Sequence, residues 1–200
     1  MKVAALIIGI DGWDRYTFPL VESISEHEPD CQIVVIDNAS ATPYPAMDYV
    51  YPTRRMCYSA AINLAASSAG KADWYIVLSN DVLCTGPFVE MLTSVGAGSI
   101  VGPCLKHVEG FAYLEGWCVC APTGIWNELR GWDEQYKVSS WEDVDFSTRT
   151  LENGYNVALY DLPFRHLDQR QRFGLVPDYW DSENHNIRYF MQQHRQPVTA

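Results

Sequence analysis

Residues 72–82, ADWYIVLSNDV, constrain the fold of this chain more than any other stretch. Their apolar part, residues 74–78, is rich in aromatic and β-branched side chains, which is typical of a strand buried on both faces of a parallel sheet. The run stops at Ser79-Asn80-Asp81. A carboxylate at this point lies at the carboxyl edge of the sheet, where open α/β folds bind ligands. Asn and Asp also begin ordinary turns, so this stretch alone leaves both interpretations open.

Two earlier segments repeat the pattern and set the fold class. Residues 3–10 and 32–36 are apolar, β-branched runs, and each stops at an aspartate. Segments with helical apolar spacing or helix-forming composition, residues 16–28 and 59–69, separate the three runs. This βαβαβ order with short loops predicts an α/β fold with a Rossmann-like, mostly parallel central sheet flanked by helices.

The chain changes character after about residue 85. Residues 113–121 are apolar and predict one continuous strand. Residues 141–151 predict a helix, in which Asp145 and Arg149 are spaced to form an ion pair and Gly154 provides the cap. No linker is long enough to separate two independent domains, so we expect a single domain of 200 residues.

Composition narrows the classes of partner and compartment. The formal net charge is −11, which disfavours nucleic acid and anionic membranes as partners. Residues 165–195 are locally basic; they suit either a phosphate-bearing ligand or a solvated helix face. Residues 3–10 are too few to span a bilayer and lack a cleavage site, so we expect no transmembrane segment and a soluble, cytoplasmic protein, in a host cytoplasm if it is viral. The six cysteines lack zinc-like or CxxC pairing and predict reduced thiols.

Several motifs occur along the chain in an order that is typical of a known family. They are IDNAS and SNDV after two strands, then LEGWCVCAP, LRGWDEQY, WEDVDFSTRTLENGY and FRH. This order resembles the GT-A fold of the family 2 nucleotide-sugar glycosyltransferases, close to their rhamnosyltransferase-like members. The resemblance implies a nucleotide-binding half at residues 1–85, an acceptor and catalytic half at 86–166, and a helical tail at 167–200.

The resemblance also implies a donor site and a metal. The donor is a nucleoside-diphosphate sugar, with UDP favoured and dTDP or GDP as alternatives. Asp81 is a hard oxygen ligand for Mn²⁺ or Mg²⁺, and His166 resembles the late histidine ligand of the family. Asp37 matches a residue that accepts hydrogen bonds from the base or ribose, although it also suits a turn. The nucleotide-binding residues implied are Gly9, Ile10, Asp11, Asp37, Asn38, Arg55 and Asn80.

Transfer to a hydroxyl group requires a general base, because the pKa of the hydroxyl lies far above neutrality. The resemblance assigns this role to Asp143, with Glu142 as substitute or hydrogen-bonding partner. Acidic residues in a first helical turn also simply complement the helix dipole. The acceptor, a glycan, glycoprotein or lipid-linked sugar of a surface-glycan or glycoprotein pathway, is expected to contact Glu115, Gly116, Trp117 and Trp141.

Two departures from the family pattern leave alternatives open. Ser79 replaces the first carboxylate of the DXD-like signature, and Met56-Cys57 stands where relatives often carry an Asn…Gly pair. The order of the motifs still predicts a metal-dependent inverting glycosyltransferase. The alternatives are a retaining GT-A transferase, a nucleotidyltransferase, or a non-catalytic nucleotide-sugar-binding protein.

Overall fold

The computed structural model describes residues 1–167 and 179–194. The strands of this part are β1 (Val3–Gly9), β2 (Gln32–Asn38), β3 (Val50–Thr53), β4 (Trp74–Ser79), β5 (Val82–Cys84), β6 (Ser99–Gly102), β7 (Leu105–Val108), β8 (Phe111–Leu114), β9 (Cys118–Pro122), β10 (Asn156–Leu159) and β11 (Phe164–His166). The helices are α1 (Phe18–His27), α2 (Tyr58–Ser68), α3 (Val89–Val95), α4 (Thr123–Glu128), α5 (Glu142–Glu152) and α6 (Tyr179–Gln193), and a π-helical turn at Trp13–Thr17 leads into α1.

A seven-stranded sheet in the order β10-β6-β9-β4-β1-β2-β3 forms the centre of the molecule. The strands β3, β2, β1 and β4 are parallel neighbours, and β10 is parallel to β6. Only β9 is antiparallel to its neighbours β4 and β6 in this sheet. The predicted α/β class with a mostly parallel central sheet is therefore confirmed.

The composition of β1 explains its central position. All seven of its residues are buried, as the continuous apolar run predicted. Ala5 and Ile7 belong to the core cluster that includes α1 and α3. Leu6 and Ile8, on the opposite face, pack with residues of α2, α4 and α5. Two apolar layers thus enclose the sheet and leave its carboxyl edge to the loops.

The continuous strand predicted at residues 113–121 is wrong. The chain forms β8 and β9 with a break at residues 115–117, which we call the central turn. Its backbone bonds to other parts of the chain: the Glu115 amide donates to the Cys104 carbonyl at 3.0 Å, and the Ser79 amide donates to the Trp117 carbonyl at 3.0 Å. The turn therefore lies beside the carboxyl end of β4.

The helix α6 packs on the segment that leads into α5. Its Phe190 is fully buried with Trp141 and Tyr136 in a third apolar cluster. The predicted Asp145–Arg149 ion pair is present at 2.7 Å, and Gly154 has the left-handed φ of +80° that a helix end favours. All six cysteines are free, as predicted. No helix in residues 1–167 and 179–194 has the length and apolarity needed to cross a bilayer.

Candidate functional site

Three parallel strands deliver polar residues to one edge of the sheet. Gly9 at the end of β1 lies opposite Asp37 in β2, and Ile8 lies opposite Ser79 in β4. Because the strands are parallel and in register, the residues that follow them, among them Asp11 and Asn80, emerge at the same level. The sequence prediction that these strand ends meet at one edge is confirmed by the register.

A hydrogen-bonded group, the β1-end cluster, holds this edge together; it consists of the half-buried Asp11 and the buried Thr17, Tyr44 and Asn80. The Tyr44 hydroxyl donates to the Asp11 carbonyl at 2.8 Å and accepts from the Thr17 hydroxyl at 3.0 Å. The Asn80 amide donates to Thr17 at 3.2 Å. Burial raises the pKa of Tyr44 most, against hydrogen bonds that lower it, so the phenol stays protonated and can donate.

Gly9 is required by the close approach of this cluster. A Cβ on Gly9 would lie 2.5 Å from the Tyr44 hydroxyl and 3.2 Å from both Asn80 Nδ2 and Thr17 Oγ1. Asp11 adopts a left-handed φ of +56°, which a non-glycine residue rarely does. Its amide donates to Ser40 Oγ at 2.7 Å, and this contact joins the loops after β1 and β2. Strained backbone of this kind concentrates at functional sites.

Asp37 and Asn38 shape the loops that follow β2. The two carboxylate oxygens of Asp37 accept the backbone amides of Ser40 and Tyr44, each at 3.0 Å, and Asp37 is 2% exposed. This geometry is that of the turn-forming interpretation, and a contact of Asp37 with a base or ribose stays a prediction. Asn38 bonds both the amide and the carbonyl of Met56, at 2.8 and 3.0 Å. It thereby places the exposed Arg55 beside the edge, where Ile10 is half-buried.

Asp81 and His166 come together although 85 residues separate them in the sequence. The antiparallel pairing of β5 with β11 sets His166 opposite Val82. Its Nε2 lies 3.2 Å from Asp81 Oδ2, and both side chains are mostly buried. The His166 ring stacks on Trp117, with centroids 4.9 Å apart and an interplanar angle of 12°. Trp117 therefore fixes the imidazole beside the carboxylate.

The donor set of this pair suits a divalent metal. A carboxylate oxygen and an imidazole nitrogen are both ligands of Mn²⁺, and the carboxylate also suits Mg²⁺. Within residues 1–167 and 179–194, no group of three or more His, Cys, Asp or Glu side chains is arranged to hold a metal ion. His166 Nδ1 is buried and has no hydrogen-bond partner among the described residues. The residues present thus fit an ion that takes its remaining ligands from phosphate and water.

Glu115 orients Trp117 through the indole N–H. Its carboxylate accepts the Trp117 indole N–H at 3.1 Å and forms an ion pair with Lys106. Burial alone would raise the pKa of Glu115, but hydrogen bonds from Cys104, Lys106 and Trp117 outweigh it and the pKa lies below its usual 4.5. Glu115 is therefore charged near neutral pH and serves as the fixed acceptor for the indole.

Asp143 reaches the same central turn from the start of α5. Its Oδ2 accepts the Gly116 amide at 2.9 Å, and its Oδ1 accepts the Val144 amide at 2.9 Å. A Cβ on Gly116 would lie 3.3 Å from Asp143 Oδ2, so glycine permits this approach. Asp143 is partly exposed, whereas Glu142 is 4% exposed and accepts from Ser139 at 3.2 Å. Asp143 is thus the more accessible carboxylate of the two.

Not every predicted site residue faces the edge. Trp141 is 9% exposed, and its ring packs against Phe190 with centroids 5.2 Å apart, so it contributes to the core between α5 and α6. Conversely, sequence reasoning missed Tyr58. Its hydroxyl lies 3.4 Å from Ser79 Oγ and donates to the Gly116 carbonyl at 3.2 Å. Its helix-start position gave no signal of a contact with the central turn.

Comparison with solved structures identifies the architecture. No family model and no curated protein sequence matches the chain. Its structure is similar to that of GalNAc-T7 with UDP, GalNAc and Mn²⁺, with a TM-score of 0.74 over 90% of this chain and 13% identity. The chain has the GT-A glycosyltransferase fold. It spans 45% of GalNAc-T7.

Two further GT-A neighbours support the assignment of the fold. The mannosyltransferase PcManGT from Pyrobaculum calidifontis, in complex with GDP-Man and Mn²⁺, gives a TM-score of 0.63 at 13% identity, covering 94% of this chain and 69% of its own. The catalytic domain of Drosophila β1,4-galactosyltransferase 7, in complex with xylobiose, gives a TM-score of 0.60 at 14% identity. The match covers 100% of this chain and 83% of that domain's chain. At these identities the likeness establishes the fold. The closer resemblance to family 2 and its rhamnosyltransferase-like members stays a prediction.

Proposed function

We propose that the chain is a metal-assisted glycosyltransferase that moves a sugar from a nucleoside-diphosphate sugar to a hydroxyl acceptor. One observation carries the proposal. The Asp81–His166 pair and the accessible carboxylate of Asp143 both meet the same three-residue turn, the pair through Trp117 and Asp143 through the Gly116 amide. Leaving-group stabilisation and proton removal are the two tasks of glycosyl transfer, and this arrangement offers a residue set for each.

The donor nucleotide is assigned to the edge formed by β1, β2 and β4. Gly9, Ile10 and Asp11 provide backbone close to the ligand, and Arg55 provides a side-chain donor. Asn80 supports this backbone, since its amide donates to Thr17 and to the Asp11 carbonyl. Asn38 positions the loop that carries Arg55, through its two bonds to Met56. Asp37 shapes the adjoining loop, since its oxygens hold the Ser40 and Tyr44 amides. UDP is the favoured nucleotide, with dTDP and GDP as alternatives.

Asp81 and His166 are the residues that would hold Mn²⁺ or Mg²⁺. A bound divalent ion supplies charge that stabilises a departing diphosphate. Trp117 holds the imidazole plane through stacking, and Glu115 holds Trp117 through the indole N–H. The position of His166 therefore depends on Trp117, and the position of Trp117 depends on Glu115.

Asp143 is assigned as the general base of an inverting reaction. Its carboxylate takes the proton of the acceptor hydroxyl while that oxygen attacks the anomeric carbon. The new C–O bond forms as the bond to the diphosphate breaks, and the nucleoside diphosphate leaves with the electron pair. The Gly116 amide holds Asp143 Oδ2 in place. Glu142, buried and bonded to Ser139, is assigned a supporting role.

The acceptor is assigned to the open side of the central turn, where Glu115, Gly116 and Trp117 border Asp143. A sugar hydroxyl of a glycan, a glycoprotein or a lipid-linked acceptor would present the nucleophile. Trp117 is 7% exposed, so it offers an edge rather than a full ring face. Trp141 supports this region from the core through Phe190.

The test is a transfer assay with a panel of nucleotide sugars and acceptors in the presence of Mn²⁺. Asp143→Asn keeps the shape and one hydrogen-bond acceptor but cannot take a proton, so we expect transfer to slow by about 10²–10⁴-fold. Donor affinity, measured by calorimetry, should stay within a few-fold of wild type, because Asp143 contacts the central turn rather than the β1–β2 edge.

The controls separate the alternatives. Glu142→Gln should cost less than Asp143→Asn. If neither substitution slows transfer, a retaining mechanism replaces the inverting one. Asp81→Ala should abolish the effect of Mn²⁺ on nucleoside-diphosphate binding, whereas equal wild-type binding with and without Mn²⁺ would refute the metal assignment. A wild type that binds nucleotide sugars and transfers none of them would be a binding protein.

A further inference from the structure

The loop before α5, residues 137–140, is bound to the buried side of α6 by one side chain. Asn186 is fully buried, and its Oδ1 accepts the Lys137 amide at 2.8 Å. Its Nδ2 donates to the carbonyls of Lys137 and Ser140, each at 2.9 Å. A single amide therefore bonds both ends of this loop from 46 to 49 residues away.

The same loop and the residue after it carry the densest backbone strain in the described chain. Val138, Ser140 and Trp141 have φ values of +54°, +100° and +70°, in the region that side chains disfavour. Such conformations persist only where surrounding contacts hold them. Glu142 and Asp143 follow directly, so the direction in which α5 begins depends on this strained segment.

Asn186 is well matched to this task. Donors and acceptors of its amide are all bonded to backbone groups, as a buried polar side chain requires. Other polar contacts of this region are with side chains and not with the loop backbone: the Tyr189 hydroxyl donates to Asp133 at 2.7 Å, and Nε2 of His194, the residue after α6, contacts Asp145 of α5 at 2.9 Å. They dock the helix, whereas Asn186 fixes the backbone that precedes Asp143.

We propose that Asn186 is a positioning residue for Asp143. Its hydrogen bonds hold residues 137–141 in their strained path, so that the Asp143 carboxylate meets the Gly116 amide and faces the acceptor hydroxyl. This role rests on the function proposed above, because it assigns Asn186 to the geometry of the general base. A residue remote from the nucleotide edge thus controls the rate of transfer without contacting substrate.

The experiment compares two substitutions on α6 in the full chain. Asn186→Ala removes the loop contacts, and Tyr189→Phe is the matched control that removes a single α6 hydrogen bond away from the loop. For Asn186→Ala we expect kcat to fall about 10²-fold, the cost of a misplaced reacting group. The KM for donor should stay within about threefold, as a ground-state contact is not removed. Tyr189→Phe should leave kcat within about twofold, since the loop keeps its bonds.

A second variant and a second readout complete the test. Asn186→Asp has nearly the same volume and keeps the acceptor for Lys137, but it places an oxygen against the carbonyls of Lys137 and Ser140; it should lose kcat like the alanine variant. If the alanine variant does not fold, the aspartate variant decides. Hydrogen exchange of residues 138–143 should speed up in both Asn186 variants and not in Tyr189→Phe.

The outcomes that overturn the proposal are specific. An unchanged kcat in both Asn186 variants overturns it, and so does an equal loss of kcat in Tyr189→Phe, which would indicate a general effect of helix docking. Failure of the proposed function is seen separately, as absence of transfer by wild type. In that case exchange protection of residues 138–143 that is lost in the Asn186 variants would show a purely structural clamp.

Discussion

Substituting Gly9 by alanine tests whether the β1-end cluster depends on the absence of a side chain at the end of β1. The added Cβ would lie 2.5 Å from the Tyr44 hydroxyl, and ordinary contact begins near 3.4 Å. The hydroxyl must therefore move by about 0.9 Å, and Tyr44 is buried, with its own amide held by Asp37. A displacement of this size breaks or lengthens its 2.8 Å bond to the Asp11 carbonyl.

The magnitude follows from two costs. Overpacking a buried site costs about 1–3 kcal/mol, and a lost hydrogen bond about 0.5–1.5 kcal/mol. We expect Gly9→Ala to lower the free energy of unfolding by about 2–4 kcal/mol. In a Tyr44→Phe background the clashing oxygen is absent, so the same substitution should cost about 1 kcal/mol or less.

Urea denaturation of wild type, both single variants and the double variant measures these free energies of unfolding. The comparison requires the same m-value, the slope of free energy against urea concentration, in all four proteins. The coupling between the two sites should reach at least about 1 kcal/mol, as residues in contact are not additive. The reasoning would be refuted if Gly9→Ala cost the same in both backgrounds, because the Tyr44 hydroxyl would then not be the source of the clash. A cost below about 0.5 kcal/mol in wild type, typical of a neutral surface change, would refute it equally.

Two further predictions concern pH. Burial lowers the pKa of His194, but Asp145 and Glu152 outweigh it and hold the pKa above 6.5; its stabilisation is thus complete below pH 6.5 and lost as pH rises through the raised pKa. Urea midpoints at pH 6 and 8.5 should differ less in His194→Gln than in wild type, and an equal difference would contradict this. The pKa of Glu115 is lowered, so the charged carboxylate stabilises the fold above pH 4.5, and this stabilisation is lost as pH falls through the lowered pKa. Stability should therefore drop less steeply between pH 6 and 3.5 in Glu115→Gln, as followed by tryptophan fluorescence in urea; the same drop in both proteins would exclude Glu115 as the cause.

The strands and the edge at which the site lies could be predicted because they depend on local sequence. The apolar run at residues 3–10 predicted β1, which the structure places at Val3–Gly9. Once three such runs alternate with helices, parallel pairing sets Gly9 and Asp37 opposite each other. The position of Asp81 at the end of its strand follows from the same rule.

Other features depend on contacts that no local pattern contains. Residues 113–121 are mostly apolar around Glu115 and Gly116, and at the break between β8 and β9 the Gly116 amide bonds Asp143, 27 residues away. Asp37 could be either a turn former or a ligand, since both uses need the same carboxylate; only the fold showed its two bonds to its own loop. Asn186 lies in a stretch that suited a solvated helix face. Its burial could not be predicted, because its hydrogen-bond partners lie 46 to 49 residues earlier in the sequence.

The antiparallel strand β9 has a consequence for how the chain can be divided. It comes from the second half of the sequence, yet it lies between β4 and β6 and pairs with β4 from Leu78 to Trp74. A fragment ending near residue 85 would expose the edge of β4 to solvent, with its backbone groups unpaired and ready to join another chain. The two halves of the sequence therefore build one sheet together, and each half alone would leave a strand edge unpaired. Exchanging one half for that of another protein would remove a strand from the middle of the sheet, so the loops around the sheet are the parts that can be replaced without unpairing a strand.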